Sequence, residues 1–435
     1  MANLHGRSGM IPPTETESVR HSRFFDALTR SGLVTATALE TLAESTTTAD
    51  EQAERLVASG QLSRFQADKL LRGQWQGLLL GTYRILSPLG RGGMGIVYLA
   101  KSVSPLGSTT AKPLVALKIL APKKARDDSR TRIRFEREMA IGRIIPAHPH
   151  IATVFDTGEV KGIAFIAMEY VTGSTVKEVV EKNGPLSVSH AARLFRDIAG
   201  ALQVSHNAGL IHRDLKPSNV MIAADGTAKL LDFGFALRIG EPLPSDPTIL
   251  GGPGYVLGTM DYIAPEQAID STAVTPQSDL YSLGATLYYA LSGCPPFPGG
   301  TSNQKLRWHR TETPHPLRAI CPGLPKEIAD IVERLMSKRP EDRYADATEV
   351  YAVLNKHAVD LRVEVATKEP PPPVPVAPSE IDDDWAEDDE IDEPPVLKTL
   401  PFDWDHPPQW VWYPAIGVMI LMGITAGFLA RIILR

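Results

Sequence analysis

Phe24, Phe25 and Leu28 stand at helical spacing, and the pattern returns at Leu56 and Val57 and again at Phe65, Leu70 and Leu71. Two of these runs end alike. Leu28-Thr29-Arg30-Ser31-Gly32-Leu33-Val34-Thr35 is echoed by Leu56-Val57-Ala58-Ser59-Gly60-Gln61-Leu62-Ser63. The glycine suits the left-handed turn that closes a helix, and the hydroxyl of Thr35 or Ser63 can accept a free amide at the start of the next one. Residues 23–82 are therefore expected to form a small helical module of about four helices, a spacer or docking unit without a catalytic cluster. Residues 1–22 mix Gly, Pro, Ser, Thr and charge and are expected to be disordered.

The period changes at residue 83. β-prone runs come first, at Tyr83–Leu86, Ile96–Ala100, Val115–Leu120 and Ala164–Glu169. Helical runs follow, at Ala191–Ser205, Leu280–Leu291 and Ile328–Met336. That order predicts an α+β domain over residues 83–358. Residues 359–409 read as a linker, with the polyproline-prone Pro370-Pro371-Pro372-Pro373-Val374-Pro375 followed by an acidic run. Residues 380–393 hold ten acids and no base, so a chain of net charge −6 is +4 elsewhere. Neither value calls for a nucleic-acid partner. Residues 410–430 carry no charge, and 21 residues make about 31 Å of helix, enough for a bilayer core. Trp410, Trp412 and Tyr413 sit where an interfacial belt would lie, so a single transmembrane helix is expected, with residues 431–435 as a tail. The first residues lack a signal-peptide core, and position 2 is not glycine, so no myristoyl anchor is expected. The two cysteines, Cys294 and Cys321, fit no metal spacing and are expected to be reduced thiols.

Four segments carry candidate chemistry. In Gly90-Arg91-Gly92-Gly93-Met94-Gly95-Ile96-Val97 the glycines let backbone amides approach a phosphate. The β-prone residues that follow make this a strand–loop–strand hairpin rather than the start of a helix; alone it fits a phosphate cradle or a plain hairpin. Lys118 lies in the apolar run Val115–Leu120, on the same strand face as Ala116. An ammonium there needs a partner or must snorkel to the edge. Glu138 adjoins the inner face of a helix predicted over Arg130–Ile141 and is either that partner or an ordinary surface acid. Then come His212-Arg213-Asp214-Leu215-Lys216-Pro217-Ser218-Asn219, Asp232-Phe233-Gly234 and Ala264-Pro265-Glu266.

With these motifs in this order the chain resembles the eukaryotic-type protein kinases over residues 83–358. The resemblance implies a bilobal fold, with a small β-rich N-lobe and a larger helical C-lobe, and the cofactors ATP and Mg2+. It implies catalytic roles for Asp214 as the base, Lys216 on the transferred phosphoryl, and Lys118 paired with Glu138. Asn219 and Asp232 would hold magnesium. Leu89, Gly90, Arg91, Gly92, Gly93, Met94, Gly95, Ile96, Val97, Ala116, Glu169, Val171 and Met221 would line the ATP site, with Met168 as gatekeeper and Met168-Glu169-Tyr170-Val171 as hinge. Arg343 looks like the family's late arginine that pairs with Glu266. Lys216 and Thr259 match kinases that act on serine and threonine, and Arg213 matches those switched by phosphate on the activation loop, where Ser245 and Thr248 are available.

Two features depart from the family pattern. Lys101–Leu114 is long, which suggests a surface insertion. Gly142 puts no side chain where the family packs a regulatory hydrophobic column, which suggests a mobile helix. The wording around Gly92–Gly95 and Tyr262–Gln267 looks most like membrane-anchored bacterial serine/threonine kinases. Protein substrates, the membrane, and a partner at the helical module or Pro-rich linker are the expected contacts. A membrane-tethered pseudokinase scaffold, or a tethered adaptor, would share the architecture. Retention of Lys118, Asp214 and Asp232 favours the active enzyme. Arg431 and Arg435 alone would place the tail in the cytoplasm. Exporting a large folded domain without a signal peptide argues the opposite, so a tail anchor with a cytoplasmic kinase domain is expected.

Overall fold

Four short helices open the structure, each started by what its sequence offers. The computed structural model describes residues 17–45, 47–92, 94–103, 114–120, 129–241, 255–256, 260–358 and 397–398. Helices α1 (Glu17–Ser31), α2 (Ala36–Ala43), α3 (Ala49–Ala58) and α4 (Arg64–Leu71) enclose a core of Phe24, Leu28, Leu42, Leu56 and Leu70. Thr35 and Ser63 cap α2 and α4 through Ala38 N and Gln66 N, and Gly32 and Gly60 take φ of 65° and 70° in the turns that close α1 and α3. Helix α1 starts at Glu17, inside the stretch expected to be disordered. Residues 17–22 show no apolar period because polar contacts hold them: Arg20 bonds Asp50 at 2.9 Å, and Glu17 accepts from Ala49 N at 3.4 Å.

The N-terminal lobe is an antiparallel sheet in the order β1-β2-β3-β4-β6-β5. Its strands are β1 (Leu79–Leu80), β2 (Tyr83–Arg91), β3 (Gly95–Ser102), β4 (Leu114–Leu120), β5 (Val154–Val160) and β6 (Ile163–Glu169). Helix α5 (Ser129–Gly142) packs on β5 and β6 and buries Phe135 and Glu138. The helical module touches the sheet. Helix α4 lies against β2, and Phe65 packs with Tyr98 on the sheet's own core.

The C-terminal lobe is built around α7 (Val188–Asn207) and α8 (Pro276–Ser292), with α6 (Val176–Asn183), α9 (Ser302–Thr311), α10 (Leu317–Ile320), α11 (Lys326–Leu335) and α12 (Ala347–Asn355) around them. Every residue of α8 from Ser278 to Leu291 is buried, as an all-round apolar helix requires. Short strands face the cleft between the lobes: β7 (Gly173–Thr175), β9 (Val220–Ala223) and β10 (Ala228–Leu230) form one sheet, and β8 (Leu210–Ile211) pairs with β11 (Leu237–Arg238). Among the described residues no helix is long and apolar enough to cross a membrane. Residues 410–430, where the transmembrane helix is expected, lie outside the described residues. So do the acidic run and most of the Lys101–Leu114 insertion.

Candidate active site

Lys118 is buried at 8% exposure on β4, and its Nζ lies 2.7 Å and 2.9 Å from the two carboxylate oxygens of Glu138 on α5. The same Nζ is 3.4 Å from Asp232 Oδ1. An ammonium in an apolar sheet is tolerable only with such partners. Burial pulls Lys118 down, but Asp232 and Glu138 outweigh it and hold the ammonium above its ordinary value. Glu138 is pushed up to about 7, chiefly by burial; Lys118 opposes the shift and Asp232 adds to it. Asp232 is held low despite burial, because Lys118, the Gly234 amide at 3.0 Å and Lys216 all favour its charge.

Asp214 is buried in the loop after β8 and accepts from Lys216 Nζ at 2.7 Å. Asn219 Nδ2 donates to the Asp214 carbonyl at 2.8 Å and to its carboxylate at 3.2 Å. That leaves the amide oxygen of Asn219 as the atom to face a cation. Two oxygen donors, Asn219 and Asp232, suit a magnesium ion whose other ligands are water and phosphate. No cluster of three or more His, Cys, Asp or Glu is arranged to hold a metal among the described residues. The loop itself hangs on α8. The Asp279 carboxylate accepts from His212 N at 2.8 Å and Arg213 N at 2.9 Å and pairs with His206 at 2.8 Å. These contacts offset the left-handed backbone of Arg213, at φ 69°, and Asp232 has a similar φ of 54°. Arg213 is buried, and burial with Arg137 nearby lowers its guanidinium to about 10.

The β2–β3 hairpin carries Leu89, Gly90, Arg91, Gly92, Met94, Gly95, Ile96 and Val97 above this cluster, and Gly92 N closes its tip on Gly95 O at 2.8 Å. A side chain at Gly95 would stand 1.9 Å from the Ile119 carbonyl, so the strand requires glycine there. Met94 is buried among Leu120, Phe135 and Ile166. Ala116 pairs with Met168 across β4 and β6, Glu169 ends β6, Val171 follows, and Met221 lies on β9. The Glu169 side chain is taken by Lys229 at 2.8 Å, and its amide donates to Thr153 O at 2.8 Å.

Two contacts could not be read from the motifs. Arg137, beside Glu138 on α5, reaches Glu241 after β11 at 2.7 Å, tying that helix to the activation segment. At Gly142 an added Cβ would meet Val154 Cγ1 at 3.3 Å, so Val154 leans into the place where the expected column lacks a side chain. Gly93, Ser245, Thr248 and Thr259 lie outside the described residues.

The protein kinase domain family model matches residues 83–355. Among curated proteins, the chain is 37% identical over 276 residues to the serine/threonine-protein kinase PknB of Mycobacterium leprae, covering 62% of this chain and 42% of that protein. It is 35% identical over 313 residues to PknH of Mycobacterium tuberculosis, covering 69% and 47% respectively. The chain thus spans less than half the length of these relatives. A crystallised PknI kinase domain of Mycobacterium tuberculosis matches at a TM-score of 0.47 and 29% identity, covering 65% of this chain and 98% of that one.

Proposed function

The chain belongs to the protein kinase domain family, and from that premise we propose that it transfers the γ-phosphate of ATP to serine and threonine hydroxyls of proteins. One observation carries the proposal. Lys118, Glu138 and Asp232 converge within 3.4 Å, and Lys216 of the Asp214–Lys216–Asn219 group lies near enough to act on Asp232. A phosphoryl in flight carries dispersed negative charge, so fixed cations and a positioned base are what the reaction needs. Lys118 holds nucleotide phosphates, and Glu138 fixes Lys118. Asp214 accepts the proton of the attacking hydroxyl, while Lys216 steadies the charge as it moves. Asp232 and Asn219 would hold magnesium, whose positive charge would offset that of the phosphate oxygens. A pseudokinase scaffold would need none of these groups assembled.

The test is purified full chain with γ-labelled ATP and Mg2+, followed by phosphoamino-acid analysis. Label on serine and threonine, lost in Asp214→Asn, is the expected result. Equal labelling of Asp214→Asn would overturn the assignment.

Regulation and placement follow the same reading. Phosphate at Ser245 or Thr248 would supply an anion for Arg213, which directly precedes Asp214 in the catalytic motif. Mass spectrometry of active enzyme should find it, and full activity of a double alanine variant would contradict it. The uncharged stretch 410–430 is long enough to serve as a membrane anchor, which would leave the kinase domain cytoplasmic with the Pro-rich and acidic segment as spacer. Digestion of the kinase domain in intact cells would refute that orientation.

A further inference from the structure

The helical module makes an unusually specific grip on β2, at the root of the Gly-rich hairpin. In the β2–β3 ladder Ile85 faces Ala100 and Ser87 faces Leu99, so Leu86 is an extra residue, a bulge. A bulge frees a carbonyl from the ladder, and here Ser63 Oγ donates to Leu86 O at 2.5 Å. Gln66, fully buried, donates to the neighbouring Ile85 O at 2.6 Å, while its Oε1 accepts from Ser63 N at 2.9 Å. The grip is reciprocal. Arg84 of β2 reaches back into the module, donating to Leu33 O at 3.2 Å and to Gln61 O. Leu33 and Gln61 hold the same place in the two repeated segments, directly after Gly32 and Gly60. The guanidinium fork therefore reads both copies of the repeat at once. The strand then runs within a few residues into Leu89 and Gly90, the start of the loop that would cradle phosphate.

We infer that the N-terminal helical module is a positioning element of the nucleotide site: through Ser63 and Gln66 it fixes the β2 bulge and thereby the register and stiffness of the Gly-rich hairpin. Ser63 and Gln66 touch no nucleotide; they act through the strand. The inference rests on the kinase reading for the identity of the ligand, ATP with Mg2+, but not for the mechanics of the hairpin.

The test uses the full chain and three variants. Ser63→Ala removes the bond to Leu86 O and the cap of α4. Thr48→Ala removes an equivalent capping box from α3, away from β2, and so controls for a weakened module. Ser63→Thr keeps the hydroxyl. Two readouts are taken: the Kd for Mg-ATP by calorimetry, and amide hydrogen exchange across residues 84–99. Ser63→Ala should weaken ATP about fivefold, the equivalent of about 1 kcal/mol for one hydrogen bond, and speed exchange in the hairpin. Thr48→Ala and Ser63→Thr should match wild type on both. Unchanged exchange and affinity in Ser63→Ala would overturn the inference. So would equal losses in Ser63→Ala and Thr48→Ala, which would reduce the effect to module stability. Wild-type protein that binds no ATP would sink the kinase reading, and the exchange data would still decide the mechanics.

Discussion

Two buried ion pairs, each a basic side chain on a glutamate, behave differently in this molecule. In the cleft, Lys118 and Glu138 pair at 2.7 Å with Asp232 beside them, and burial plus that second acid push Glu138 up to about 7. In the C-terminal lobe, Arg343 meets both oxygens of Glu266 at 2.7 Å and 2.8 Å, and Ser278 adds a third bond at 2.7 Å. Burial works against Glu266 too, but Arg343 and Ser278 outweigh it and hold the carboxyl below its usual range. The remaining donors of Arg343 are spent on the carbonyls of Ser337, Gln277 and Lys338, and its face lies over Tyr281. One pair is satisfied on every side. The other sets one ammonium against two carboxylates, Glu138 and Asp232, and so keeps a surplus of negative charge that a bound cation would balance. A saturated pair fastens the fold, and an unsaturated one is poised for chemistry.

Breaking the saturated pair should cost most. Arg343→Met leaves the partly buried Glu266 with only its Ser278 bond and should lower stability by about 3 kcal/mol. Urea unfolding followed by tryptophan fluorescence would measure it, and an unshifted midpoint would erase the distinction between the pairs.

Glu138→Gln keeps the shape of the cleft pair and removes its charge. Turnover should fall about tenfold or more as Lys118 loses its fixed position, while Asp232, 3.4 Å away, keeps Lys118 partnered and the urea midpoint falls less than in Arg343→Met. Steady-state kinetics and unfolding on the same preparation decide it. A large loss of stability with normal turnover would reverse the roles assigned to the two pairs.

A smaller effect sharpens the structural side. His309 lies between Tyr281 OH at 2.8 Å and Asp261 O at 3.1 Å, an arrangement that fits a neutral ring with one acceptor and one donor nitrogen. Burial, helped by Lys338, lowers it to about 3. The unfolded chain takes up a proton below about pH 6.5, where the folded chain does not. Stability from this group is therefore full above about 6.5 and is lost as pH falls towards about 3. Between about pH 6.5 and 5.5 the loss should be about 1 kcal/mol. A His309→Gln variant, measured by urea titration at both pH values, should show a correspondingly flatter dependence; an unaltered slope would contradict it.

Much of the fold, and the residues that the structure gathers in the candidate site, are legible in the sequence alone. The motifs single out Lys118, Glu138, Asp214, Asn219 and Asp232 because each is a required residue type at a fixed offset. The strand and helix cores follow from period: Val115–Leu120 sits in β4 and Leu280–Leu291 in α8. The caps at Thr35 and Ser63 are legible because capping is local chemistry. Long-range polar contacts are not. Arg84 reads as any charged residue in a strand, and only its meeting with Leu33 and Gln61 shows what the repeat presents to the sheet. Arg137 and Glu241 are ordinary surface types that pair across the fold. The start of α1 escapes because polar contacts, with no apolar period, hold residues 17–22.

The central claim is that the Lys118 pair serves phosphoryl transfer rather than folding. The most direct measurement takes turnover and cooperative unfolding from one sample of Lys118→Met. Transfer should fall by about 10²–10³ with a single cooperative unfolding transition retained. Normal autophosphorylation by the folded variant would contradict the account.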